Sequence, residues 1–135
     1  MKNIVVDSGP LIALFDGSDR YHEQAVSFIK GLQGTAVTNL PVITEVVYML
    51  DFSADAQRDF LHWVERAFEI DQNTVADMPR IVSLMRKYGD LPADFADASL
   101  VALCERLDTR LVASVDRDFT IYRNQAKQAF ENLFW

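Results

Sequence analysis

Five acidic side chains stand at strand ends, at a helix start or on apolar helix faces: Asp7, Glu45, Asp94, Asp97 and Asp116. Asp7 closes the apolar run Ile4-Val5-Val6 and precedes the breaker Ser8-Gly9-Pro10, at the carboxyl edge of a short strand. Glu45 lies within 41–50, a helix apolar nearly all round and therefore expected to be buried. An unpaired carboxylate there is forced to protonate or to find a cation, either an arginine or a metal ion. Asp97 raises the same problem. On the helix expected over 94–107, Asp94, Asp97, Val101 and Cys104 share one stripe, beside Ala96, Leu100, Leu103 and Leu107. Asp116 follows the strand Leu111-Val112-Ala113-Ser114-Val115.

Each acid has a local alternative. Asp7 could cap a helix, Asp94 is a good N-cap with Asp97 as its capping-box partner, and Asp116 and Asp118 could be turn residues, Asp118 the more readily. Together, however, four acids at strand ends or on buried helix faces would repel one another unless some were protonated or cations lay between them. Oxygen ligands without cysteine or histidine suit Mg²⁺ or Mn²⁺ and not Zn²⁺. His22 and His62 are away from strand ends and read as helix-surface or packing residues. Two such ions polarise a phosphodiester, activate water and stabilise the leaving oxygen.

The elements that must hold these acids alternate. Short strands are expected at 4–6, 35–38, 68–70 and 110–115. Helices are expected after Pro10, over 21–32, from Pro41 to 50, after Ser53, over 74–88 and over 94–107. The stretch after 118 is ambiguous. This alternation predicts an α/β fold, a three-layer sandwich with a short, mostly parallel central sheet flanked by helices. Residues 1–135 read as a single domain, without repeat, linker or low-complexity segment. In such sheets ligands bind outside the carboxyl ends of the strands, where the acids are.

Composition narrows the classes. The chain has 135 residues, half of them apolar, enough to bury roughly two-thirds of its unfolded surface. Thirteen Lys and Arg against twenty Asp and Glu leave a net charge of −7, which excludes gripping nucleic acid by general basic attraction. Cys104 is the single cysteine, so neither a disulfide framework nor a cysteine zinc site is expected, which fits a reducing cytoplasm. No apolar run approaches the ~20 residues of a membrane span.

Val5-Val6-Asp7-Ser8, Thr44-Glu45-Val46, Asp94-Phe95-Ala96-Asp97-Ala98-Ser99-Leu100 and Ser114-Val115-Asp116-Arg117-Asp118-Phe119 occur in an order and separation that resemble a PIN-domain ribonuclease, specifically the toxin half of VapBC-type bacterial toxin–antitoxin modules. The loop 16–22 is also similar to that family's entry into its second helix. The resemblance implies that Asp7, Glu45, Asp97 and Asp116 are the metal-site acids, with Asp94 sharing the third position. Asp7 and Asp97 would bind directly, and Ser8 and Ser114 would be supporting hydroxyls. It further implies Mg²⁺- or Mn²⁺-dependent cleavage of RNA, by one or two ions, leaving a 5′-phosphate and a 3′-hydroxyl. A homodimer and a cognate antitoxin occupying the active-site groove are also implied. Arg117 and Arg123 are the cations best placed for RNA, ahead of Lys127, Arg86 and Lys87. Ser114 replaces the commoner Thr, and Cys104 the usual Ala. Two divalent ions would move the formal charge from −7 to about −3.

Three other readings compete. A haloacid-type phosphatase requires a second Asp where Gly9 stands. A receiver domain requires a phosphoacceptor Asp after its third strand, which only Asp71 approaches. A PIN-like binding protein without catalysis, or an RNA-processing PIN nuclease without an antitoxin, would keep the fold and change the role. Phe52, Trp63, Phe134 and Trp135 are candidates for a dimer or antitoxin surface, or for core packing.

Overall fold

Ile4, Val5 and Val6 are all buried, so both faces of the first strand are covered, as the unbroken apolar run requires. In the computed structural model, which describes residues 2–90 and 94–135, this strand is β1 (Asn3–Val6). It is followed by α1 (Ser8–Phe15), α2 (His22–Gly31), β2 (Thr35–Asn39), α3 (Leu40–Met49), α4 (Ala54–Ala67) and β3 (Glu69–Asp71). Then come α5 (Met78–Lys87), α6 (Phe95–Arg106), β4 (Leu111–Ala113), a 3₁₀ turn (Arg117–Thr120) and β5 (Glu131–Asn132). The strands form one sheet in the order β3-β2-β1-β4-β5, and every pairing is parallel. The expected α/β architecture, a short parallel sheet flanked by helices, is what forms.

Capping explains several boundaries. Asp7, Asn39, Ser53 and Asp94 each accept a backbone N–H at the start of α1, α3, α4 and α6. The helix expected over 74–88 starts only at Met78, because Pro79 is tolerated in a first turn and not further in. The ambiguous tail supplies β5. Its side chain Asn132 accepts the N–H of Ser114 at 3.1 Å and donates to the Ser114 carbonyl at 2.8 Å. The edge strand thus pins the chain just beyond β4.

Two helices depart from the sequence expectation. α3 is not buried all round: Leu40, Tyr48 and Met49 are exposed, and Glu45 is half-buried at the margin. An apolar helix can leave one face for solvent or a partner, and periodicity alone does not distinguish the cases. α6, in contrast, is buried on every side from Ala96 to Cys104, not along two stripes. It runs through the core, and Asp97 goes in with it. Of the four candidate surface aromatics, Phe52 and Trp135 are exposed, Trp63 is half-buried and Phe134 is buried.

Candidate active site

β1 and β4 are neighbours, yet the chain leaves β1 toward β2 on the other side. The crevice between their carboxyl ends is therefore a topological switch point. Asp7 leaves β1 at this crevice, and Ser114 and Asp116 leave β4. The two segments approach closely because residue 9 is glycine: a Cβ there would collide with Cγ2 of Val115.

Ser114 links them. Its hydroxyl donates to Asp7 Oδ2 at 2.9 Å and accepts the Asp116 backbone N–H at 2.9 Å. The other carboxylate oxygen of Asp7 accepts the Ser8 N–H at 2.7 Å. The Ser8 hydroxyl lies 3.5 Å from the same oxygen. Asp116 caps the 3₁₀ turn by accepting the N–H of Asp118 at 2.9 Å.

α6 brings the third side. Asp94 is its exposed N-cap and accepts the Asp97 N–H at 2.8 Å, so the capping reading of Asp94 holds. Asp97 is buried one turn further in, and its Oδ2 accepts the Tyr122 hydroxyl at 3.1 Å. The start of α3 is fastened to the same turn: Asn39 Nδ2 donates to Ser99 Oγ at 3.0 Å, and Ser99 donates to the Ala96 carbonyl at 2.6 Å. This tie sets the helix of Glu45 against that of Asp97.

The acids feel one another. Burial above all raises the Asp97 carboxyl to about 9, with repulsion from Asp7, Asp94 and Asp116 adding to it. Burial raises Asp7 to about 6, with Glu45 and Asp116 adding and the bonds from Ser8 and Ser114 opposing. Glu45 is raised by burial, then by Asp94 and Asp116. Tyr122 is raised by burial and by the carboxylate it faces. Among the described residues no Lys or Arg forms an ion pair with any of these acids.

Asp97, Asp116 and Asp118 each offer an oxygen within 4.8 Å of the others, close enough to share one cation. Asp118 therefore joins the cluster, whereas the sequence favours it as a surface turn residue. The Asp-x-Asp spacing beside the end of β4 was its one local signal, and the tertiary structure supplied the proximity. Tyr122, Asn39 and Ser99 carried no comparable signal. The donor set is all oxygen, crowded and lacking a cation, and so fits a hard divalent ion. Of the two arginines favoured for RNA, Arg117 is exposed. Arg123 is committed elsewhere: its Nη1 donates to the carbonyls of Thr120, Ile121 and Tyr122 at 2.8–3.0 Å. His22 and His62 lie outside the cluster, and His22 Nδ1 pairs with the Ala13 carbonyl at 2.7 Å.

Comparison with known proteins places the chain in a family. The chain is 26% identical over 117 residues to Ribonuclease VapC26 of Mycobacterium tuberculosis, covering 84% of this chain and 87% of the relative. Its fold is similar, with a TM-score of 0.79, to the crystal structure of Mycobacterium tuberculosis VapC20, described as a sarcin–ricin loop cleaving toxin. That match spans 87% of this chain and 93% of the other, at 18% identity. Residues 4–124 match the PIN domain model, a span that contains every acid of the cluster, and the chain belongs to the PIN domain family.

Proposed function

We propose that this protein is a metal-dependent endoribonuclease of the VapC type, the toxin of a toxin–antitoxin pair, folded as one PIN-like domain. The observation that carries the reading is the convergence of Asp7, Asp97 and Asp116 on the β1–β4 switch point with no cation among the described residues to neutralise them. The ribonuclease and toxin named in the two relatives support the substrate class and the biological role.

In this reading Asp7, Asp97 and Asp116 hold one or two Mg²⁺ or Mn²⁺ ions, with Asp94, Glu45 and Asp118 completing the site. The ion, when bound, supplies Lewis-acid activation of the phosphodiester and of water. The protein's own groups do the positioning. Ser114 holds Asp7 and the Asp116 backbone in one register, and Ser8 supports Asp7. Tyr122 fixes one oxygen of Asp97. Arg117 supplies a contact for RNA phosphate, a role that Arg123 fills less well because its guanidinium is already bonded. A homodimer, a cognate antitoxin covering the cleft and a cytoplasmic location belong to the same proposal. Among the described residues no helix is long and apolar enough to cross a membrane.

The test is cleavage of RNA in Mn²⁺ by the parent and by Asp7→Asn. The Asn keeps the helix cap and removes the charge, so the variant should fold and lose cleavage. Parental activity in Asp7→Asn would refute the site assignment.

A further inference from the structure

We propose that Trp135 and Arg117 form a stacking subsite for one unpaired base of the RNA, beside the scissile phosphate. The inference rests on the ribonuclease reading and extends it to a residue beyond the family match, which ends at 124. Trp135 is 55% exposed although two rings brace it. Tyr21 stands at 5.3 Å and 78°, and Phe134 at 5.5 Å and 72°. Phe134 is itself buried, and its carbonyl accepts from Gln24 at 2.6 Å, so the platform has a rigid base. A large aromatic held firmly and left open to solvent suits stacking better than core packing.

With Arg117 and Thr120, Trp135 lines a cavity of about 240 Å³. That is below the roughly 300–1,000 Å³ of a whole small-molecule site and suits a single ring system. Arg117 makes no ion pair among the described residues, so its guanidinium is available to phosphate or to the face of a base. A second guanidinium, that of Arg20, lies 4.6 Å from the centroid of the Tyr21 ring and donates to its hydroxyl at 2.6 Å. Aromatic surface flanked by guanidinium is the combination that holds single-stranded nucleic acid.

The 3₁₀ turn connects this cavity to the acids. Asp116 and Asp118 belong to the oxygen cluster, while Arg117 and Thr120 of the same turn line the cavity. A nucleotide whose phosphate sits at the acids thus has the platform within the reach of its chain neighbours. The otherwise acidic cleft acquires an affinity for RNA that does not depend on net positive charge.

The test follows cleavage of a short fluorophore–quencher oligoribonucleotide pool of randomised sequence in Mn²⁺, with KM and kcat separated. Trp135→Ala should raise KM about tenfold or more, the size expected for a lost base–aromatic stack, with a smaller change in kcat. Trp135→Phe should restore most of the loss. Arg117→Ala should raise KM and weaken its salt dependence. A parental KM in Trp135→Ala, on RNA that the parent cuts, overturns the platform and leaves the ribonuclease reading standing. A Trp135→Phe variant as impaired as Trp135→Ala also overturns it, since the loss would then be structural. A parent that cuts none of the pool and no ribosomal RNA overturns both readings.

Discussion

The two ends of α6 treat charge in opposite ways. At its carboxyl end every charge has a partner. Arg106 forks onto Asp71 and Asp77 with contacts of 2.8–3.1 Å, and Arg80 forks onto Glu105 with two bonds of 2.8 Å. Burial alone would raise Asp71, but the hydrogen bonds and charge of Arg106 outweigh it and hold that carboxyl below its ordinary value. At the amino end Asp97 is buried among acids and pushed up to about 9, chiefly by burial. One helix therefore shows that the fold can supply arginines to acids where stability asks for it. Near Asp97 the fold places further acids instead. Structural ion pairs bring their own counter-charge, and a binding site leaves that place to the ligand.

The largest effect should come from breaking the amino end. Asp97→Asn should lower metal-dependent RNA cleavage by about 100-fold or more, beyond the loss typical for removing a group that merely supports a ligand. Its melting temperature without metal should stay level or rise near pH 8, because Asn is neutral without having to hold a proton that the unfolded chain would release at that pH. If Asp97→Asn instead melts well below the parent, the two ends are alike and the contrast fails.

Next in size is the carboxyl end. Arg106→Ala leaves Asp71 and Asp77, both largely shielded, without their counter-charge and should destabilise the fold by roughly 1–3 kcal/mol. Chemical denaturation measures this directly. Cleavage per folded molecule should be unchanged, and a loss of activity without a loss of stability would contradict the division.

The most discriminating effect is in pH. Asp7 and Asp97 bind protons more tightly in the folded state, so their contribution to stability is fully present below about pH 4. It falls away as pH rises through about 6 and about 9. Asp71 works in reverse: its contribution is present at neutral pH and is lost under acid. In EDTA the melting temperature should therefore decline from about pH 5 toward pH 9. Mg²⁺ or Mn²⁺ should restore it at the alkaline end, since a ligand bound only by the folded state stabilises it. A profile in EDTA that rises over that range would show the amino-end acids to be neutralised by the protein itself.

Much of the candidate site was legible before any fold. Asp7 and Asp116 end apolar runs, and strand ends in a parallel sheet converge because parallel pairing aligns them. Asp94 and Asp97 were legible as acids at a helix start. Glu45 was misjudged in degree, since the apolar pattern of α3 suggested burial on all sides while Tyr48 and Met49 face outward. Asp118 and Tyr122 were not legible as site residues. One looked like any turn acid, and the other reaches Asp97 across 25 positions of sequence.

The sequence by itself determined the alternation of strands and helices, the caps that start the helices and the set of acids to be reconciled. These depend on periodicity and on contacts a few residues long. Only the tertiary structure decided which acids meet. It set β4 beside β1, used Gly9 to let Val115 approach, and turned Ser114 into a bridge between Asp7 and Asp116. It also assigned one arginine, Arg123, to backbone carbonyls and left another, Arg117, open beside Trp135. Such choices rest on distances between residues up to 107 positions apart, which packing fixes and local pattern does not encode.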